Sequence, residues 1–178
     1  MARILGSVAL VAAAWGLDGR LARARRIGSG YGECLACTVG ISRRGKTLAG
    51  KALTPERRIV INSALLIAGR EADRDATFLH ECAHVIADIR YRAFCRHDWR
   101  WRRVMALLGE PARAHHDIAC LSPRAHAVVT WVCAHCGEEF HYVRAPRRRI
   151  EDCCCRACGP RLGRLYVKED RPVPRAAD

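Results

Sequence analysis

Lysine is almost missing from this 178-residue chain: of its 31 basic side chains only Lys46, Lys51 and Lys168 are lysines, and the rest are arginine. Acidic residues are also few, 18 in all, leaving a formal net charge of +13. That imbalance excludes a surface that repels polyanions. The planar guanidinium fork suits phosphate, so DNA is a candidate partner through an arginine-rich surface. A bias toward arginine codons would decorate any surface in the same way, and charge alone does not establish the contact. A long apolar run is lacking too. Ile4 to Leu17 is too short to span a bilayer comfortably, and the basic cluster Arg20 to Arg26 that follows it suits the cytoplasmic side better than a site after export cleavage. A helix packed on the core is expected there, with no stable membrane association; a membrane anchor is the alternative. The length excludes two large domains and suits one medium domain with a small appendage.

Eleven cysteines could signal a disulfide framework, but four of them form two C-x-x-C pairs, which points to metal and a reducing cytosol. Cys133 and Cys136 are followed by Gly137, and Cys155 and Cys158 by Gly159, with eighteen residues between the pairs. This is zinc-ribbon spacing: four thiolates can close a tetrahedral structural site, and so small a module needs the ion for its folding energy. Cys153 and Cys154 crowd the second pair, but only Cys155 makes the two-residue spacing with Cys158. Cys34 and Cys37 form a lone pair and are expected to be small buried residues.

His80-Glu81-Cys82-Ala83-His84 matches H-E-x-x-H within a stretch, about Asp75 to Arg92, that reads as helix. Histidines four apart share a helical face and can reach one ion, with Glu81 close enough to take a proton from a water held there. The motif alone could be chance. Phe78, Leu79, Val85, Ile86 and Ile89 would bury this helix, however, and ionisable groups on a buried helix are costly unless something satisfies them. Before it, residues 3 to 26 lack proline and favour helix. Glu33 to Ile41 and Arg57 to Asn62 favour strands of a small antiparallel sheet, and Asn62 or Ser63 can cap a short helix. After it, Trp99 to Leu108 reads as an amphipathic helix stopped at Gly109 and Pro111, with Trp101, Met105 and Leu108 as packing residues. The segment from His115 to Ala127 connects two modules. The tail, 169 to 178, reads as disordered.

Several of these pieces, in order, resemble the SprT-like family of zinc metallopeptidases, which includes the Spartan type of DNA-protein crosslink protease. They are Leu48-Ala-Gly50 before Ile59-Val-Ile-Asn62-Ser-Ala-Leu-Leu66, the motif helix from Phe78 to His84, His97-Asp98-Trp99-Arg100-Trp101 leading to Val104-Met105 and Leu108-Gly109, and the cysteine pairs after Trp131. Asp98 replaces a glycine common after the third histidine, and Cys82 stands where a bulkier apolar residue is usual.

The resemblance spans roughly Tyr31 to Val167; the N-terminal helix (1–30) has no clear match in it and is of uncertain role. The resemblance implies an α+β fold: a small zincin-like peptidase domain over 31–127 before a zinc ribbon over 128–168. It implies one catalytic zinc held by His80, His84 and His97, with Glu81 as catalytic base, and one structural zinc held by Cys133, Cys136, Cys155 and Cys158. The substrate would be protein, in the Spartan type protein bound or crosslinked to DNA. Residues 1–130 carry 21 basic against 11 acidic groups, so the first domain would supply much of any DNA contact. His115 and His116 could support the site or be solvated residues of the connecting segment. The location implied is cytoplasmic, beside the nucleoid where DNA is engaged. The rival reading is a non-catalytic zinc-containing nucleic-acid-binding protein, against which Glu81 is the discriminating residue.

Overall fold

A computed structural model describes residues 3–168; the expectation for the tail, 169–178, lies outside the described residues. The chain forms two compact units that divide between Cys120 and Leu121. The first contains β1 (Arg3–Ser7), α1 (Val8–Ala14), α2 (Asp18–Ala22), α3 (Ser29–Ala36), β2 (Thr38–Ser42), β3 (Gly50–Leu53), β4 (Arg58–Asn62), α4 (Glu71–Tyr91) and α5 (Trp99–Leu108). The second contains β5 (Val129–Cys133), β6 (Glu139–Tyr142), a one-turn α6 (Gly159–Leu162) and β7 (Leu165–Val167). The class is α+β, as the sequence suggested.

The sheet of the first unit runs β1-β2-β4-β3, and it is mixed. β1 and β3 pair antiparallel with their neighbours, whereas β2 and β4 run parallel. The expected antiparallel sheet is corrected for a topological reason: the chain passes β4's place, forms β3 at the far edge and turns back through Thr54 to Arg57, so β4 enters the gap in the same direction as β2.

Two local expectations also change. Residues 3–7 are an edge strand and not the start of a helix, because the open hydrogen-bonding edge of β2 recruits them, and such tertiary pairing overrides helix propensity. The strand bulges between Ile4 and Gly6, and Ser7 then caps α1 by accepting from the Leu10 N–H. The predicted strand from Glu33 begins only at Thr38; Ser29–Ala36 is helix. Its glycines weaken the helical signal in the sequence, yet Gly30 has a packing reason. A Cβ there would stand 2.4 Å from the Ile86 carbonyl oxygen, so α3 lies directly against α4. Cys34 and Cys37 are fully buried, as small residues in a close contact should be.

α4 is the spine of this unit. It starts a turn earlier than the sequence suggested and ends where Arg92 adopts a left-handed conformation. It buries Phe78, Leu79, Val85 and Ile86 completely, each contributing roughly 1.5–3 kcal/mol by leaving water. α5 packs on it through Trp101, Val104, Met105 and Leu108, with Asp98 as N-cap and Gly109 as left-handed C-cap. Arg20 closes that C-terminus by donating to the Leu108 and Gly109 carbonyls. Among the described residues no helix is long and apolar enough to cross a membrane. The run from Ile4 to Leu17 is divided between β1 and α1, with Val8, Val11, Ala12 and Leu17 buried.

Asn62 joins the sheet to the loop that borders α4. Its amide donates to the Gly45 and Leu48 carbonyls, at 2.6 and 2.8 Å, while its Oδ1 accepts from Ala64 N–H as the cap of the turn Ser63–Leu66. Asn62→Ala removes all three bonds at a 5 % exposed position. Urea unfolding should show a loss of about 2 kcal/mol, the scale of a lost cap plus unsatisfied carbonyls.

Candidate functional site

Because α4 makes a full turn between His80 and His84, both rings leave it on one face. The loop after α4 and the start of α5 then bring in His97. The three Nε2 atoms form a triangle with every side 3.2 Å. Hydrogen bonding cannot satisfy all three contacts, since each Nε2 is either a single donor or an acceptor with one lone pair. A tetrahedral zinc at about 2.0–2.1 Å from each nitrogen requires donors roughly 3.3–3.4 Å apart, so the donor set fits zinc. Burial lowers the pKa of His80 to about 4 and of His84 to about 3, with neighbouring imidazoles adding to the effect; burial also lowers that of His97. All three are therefore neutral at physiological pH, the form that offers a lone pair.

Trp101 walls this triangle. Its ring centroid lies 4.9, 5.4 and 4.7 Å from those of His80, His84 and His97, and it is fully buried. Helical spacing marked it correctly as a packing residue, but gave no sign that it packs on all three imidazoles at once.

Glu81 faces β3. The Ala52 backbone N–H donates to its carboxylate, yet burial dominates and pushes its pKa up to about 8. Gly50 makes this approach possible: a Cβ there would lie 2.8 Å from Thr77 Cγ2, 2.9 Å from Glu81 Cγ and 3.0 Å from its Oε1. That requirement comes from two elements distant in sequence, so inspection of Gly50 alone could only suggest a turn. His80, Glu81, His84 and His97 open together into a cleft of about 850 Å³, bordered by β3 on one side and by the segment from Glu110 to Ile118 on another. His115 and His116 belong to that segment. Both are exposed, and His116 Nε2 lies 3.0 Å from the Thr47 carbonyl oxygen, which ties the segment to the loop before β3.

The second unit holds another donor group. Cys133, Cys136, Cys155 and Cys158 place their sulfurs within 4.8 Å of one another, with Cys133–Cys158 and Cys136–Cys155 each at 3.8 Å. A zinc at about 2.3 Å from each sulfur spaces tetrahedral thiolates at roughly 3.8 Å, so this set also fits. Gly137 and Gly159 both have φ near +70°, and their N–H groups bond back to Cys133 and Cys155 carbonyls, which closes each pair into a tight turn. Cys153 and Cys154 stay outside the group. Backbone N–H groups draw the Cys133 thiol down to about 7, whereas bonds from neighbouring thiols and burial push Cys158 up to about 12. Four thiolates this close need a cation to ionise together. β6-β5-β7 supports the group with a small core of Trp131, Cys133, Cys155 and Leu165.

Comparison with known proteins gives a consistent result. A model of the SprT-like family matches residues 25–119. Protein SprT of Pectobacterium carotovorum subsp. carotovorum (strain PC1) is 30% identical over 129 residues, which cover 70% of this chain and 74% of that protein. No solved structure matches.

The buried Glu81 makes a pH-dependent contribution to stability in the metal-free protein. A carboxyl whose folded pKa is raised from 4.5 to about 8 is destabilising once the unfolded form ionises, and the penalty grows as pH rises between those values. Glu81→Gln has no such group. In chelator, its stability should gain on the parent from about pH 4.5 to about pH 8 and then hold level, as read by urea midpoints; a constant difference across that range contradicts the raised pKa.

Proposed function

This chain belongs to the SprT-like family, and we propose that it is a zinc-dependent endopeptidase acting on proteins bound or crosslinked to DNA. The observation that carries this reading is the pairing of three converging imidazoles with a buried carboxylate in one open cleft. Zinc held by His80, His84 and His97 would supply a Lewis acid that eases ionisation of water and polarises a peptide carbonyl. Glu81 accepts the proton of the attacking water as the water oxygen bonds to the carbonyl carbon, and returns it to the amine nitrogen as the C–N bond breaks. Burial alone holds Glu81 mostly protonated at neutral pH; the charge of a bound zinc would lower that value and free the carboxylate to act as base, with its proton affinity still high enough to hand the proton on.

β3 supports an extended substrate. It is an edge strand, and the Asn62 N–H to Ala49 carbonyl bond sets the ladder's alternation so that the main-chain groups of Gly50 and Ala52 point away from β4. Glu81 takes the Ala52 N–H. The Gly50 N–H and C=O remain to pair with a peptide main chain laid along the cleft, the way strand addition confers affinity without side-chain choice. Trp101 holds the imidazole rings in orientation from behind.

Cys133, Cys136, Cys155 and Cys158 form the structural zinc site of a ribbon. The convergence of two C-x-x-C pairs on one metal-sized group suits a reducing, cytoplasmic setting. DNA contact is assigned to the first unit: Arg92, Arg96, Arg102 and Arg103 are exposed in the same stretch of chain as the exposed rings of Phe94 and Trp99, with Arg96 over the Phe94 ring, a combination that engages phosphate and unstacked bases. The rival reading, a non-catalytic zinc-containing nucleic-acid-binding protein, uses the same surface. It leaves the buried carboxylate of Glu81 without a role.

Metal analysis should find two zinc ions per chain, and one in Cys155→Ser. Glu81→Gln should keep both while cleavage of a model DNA-protein crosslink falls by about 10²–10⁴-fold; cleavage at the parental rate removes Glu81 from the mechanism, and retention on DNA without cleavage by the parent favours the rival. Arg102→Glu combined with Arg103→Glu should flatten the salt dependence of DNA retention, by roughly 0.9 in log–log slope for each phosphate no longer neutralised. An unchanged slope would move the DNA-binding surface elsewhere.

A further inference from the structure

Asp88 lies one turn beyond His84 on α4, so the spacing 80, 84, 88 continues the face that carries two of the three imidazoles. Its side chain is 7 % exposed, and both carboxylate oxygens are engaged. Oδ1 accepts from the Cys95 backbone N–H at 2.8 Å, and Oδ2 from the Thr54 hydroxyl at 3.0 Å. Its main-chain carbonyl accepts from the Ala93 N–H at 3.2 Å. A carboxylate desolvated to this degree is unfavourable without such partners, and here the partners belong to the two segments that complete the site.

The first segment is the loop that delivers His97. Arg92 and Arg96 bracket it with φ of 49° and 46°, a left-handed conformation that is strained for a non-glycine residue. Cys95, 1 % exposed, is the fixed point between them. Asp88 holds its N–H, and its carbonyl accepts from the Asp98 N–H at 3.1 Å, where Asp98 in turn caps α5. His97 therefore sits inside a closed turn that Asp88 tethers to α4 at Cys95. The second segment is the exit of β3, since Thr54 follows Leu53 directly and Ala52, two residues earlier, bonds to Glu81.

We propose that Asp88 is a positioning residue: it registers the His97 loop and the end of β3 against the helix that carries His80 and His84, and so sets the metal affinity of the three-histidine site. This inference rests on reading that site as a metal centre. A purely structural anchor would stabilise the fold without affecting affinity, because the folded protein would still present His97 in place. A positioning role predicts that the imidazole triangle loosens while the protein stays folded.

The test is chelator competition on the full chain, in which zinc lost from the histidine site is separated from zinc held by the cysteines. Asp88→Ala should weaken the histidine site by about 10–100-fold, the scale for residues that orient metal ligands, and leave the cysteine site at parental affinity. Asp88→Asn retains an oxygen for the Cys95 N–H and should restore most of the affinity. Thr54→Val removes one bond only and gives a smaller loss, which keeps the proposal testable if Asp88→Ala does not fold. Parental affinity in both Asp88→Ala and Thr54→Val, with or without a lower melting temperature, overturns the positioning role. A parent chain that holds zinc at the cysteines alone instead overturns the reading of the histidine site, and with it the premise.

Discussion

The central constraint on this protein is that one buried helix carries two imidazoles and two carboxyl groups between residues 80 and 88. His80, Glu81, His84 and Asp88 all lie on α4, whose other faces are dry and packed by Phe78, Leu79, Val85 and Ile86. Uncompensated, each polar group there costs several kcal/mol. Much of the first unit can be understood as compensation. β3 lends a backbone N–H to Glu81, Gly50 gives up its side chain so that the strand can come close enough, Thr54 and Cys95 satisfy Asp88, and Trp101 covers the imidazoles. What the protein itself leaves unresolved is the triangle of ring nitrogens, and a cation fits it.

Legibility from the sequence followed the range of the interactions. The cysteine group was readable in full because each half is a local turn whose glycine follows its second cysteine, and the turn geometry needs only five residues. His80, Glu81 and His84 were readable because a helix turns 3.6 residues per cycle. His97 needed the resemblance, since a loop of left-handed residues has no periodicity to announce where it leads. Gly50, Ala52, Asp88 and the wall made by Trp101 act across elements distant in the chain, and their residue types suit several ordinary roles.

The errors of fold have the same origin. Arg3 to Ser7 has the local composition of a helix start, and it is a strand because β2 offers an open edge. Ser29 to Ala36 looks too rich in glycine for a helix, and it is one because Gly30 lets α3 settle onto the Ile86 carbonyl. The parallel pairing of β2 with β4 depends on where β3 goes, which no window of sequence contains. In each case a neighbour supplied by the tertiary structure outweighed the preference of the segment itself.

The left-handed residues on either side of Cys95 carry a consequence for when the histidine site exists at all. A loop held by a few hydrogen bonds and bearing backbone strain opens locally at a lower free energy than a packed helix. Opening takes His97 away while His80 and His84 remain on intact α4, and two imidazoles make a far weaker donor set than three. On the proposed function the chain thus contains its own safeguard. Under that reading, peptide hydrolysis would be confined to molecules whose last loop has closed, and half-folded copies would lack the third donor.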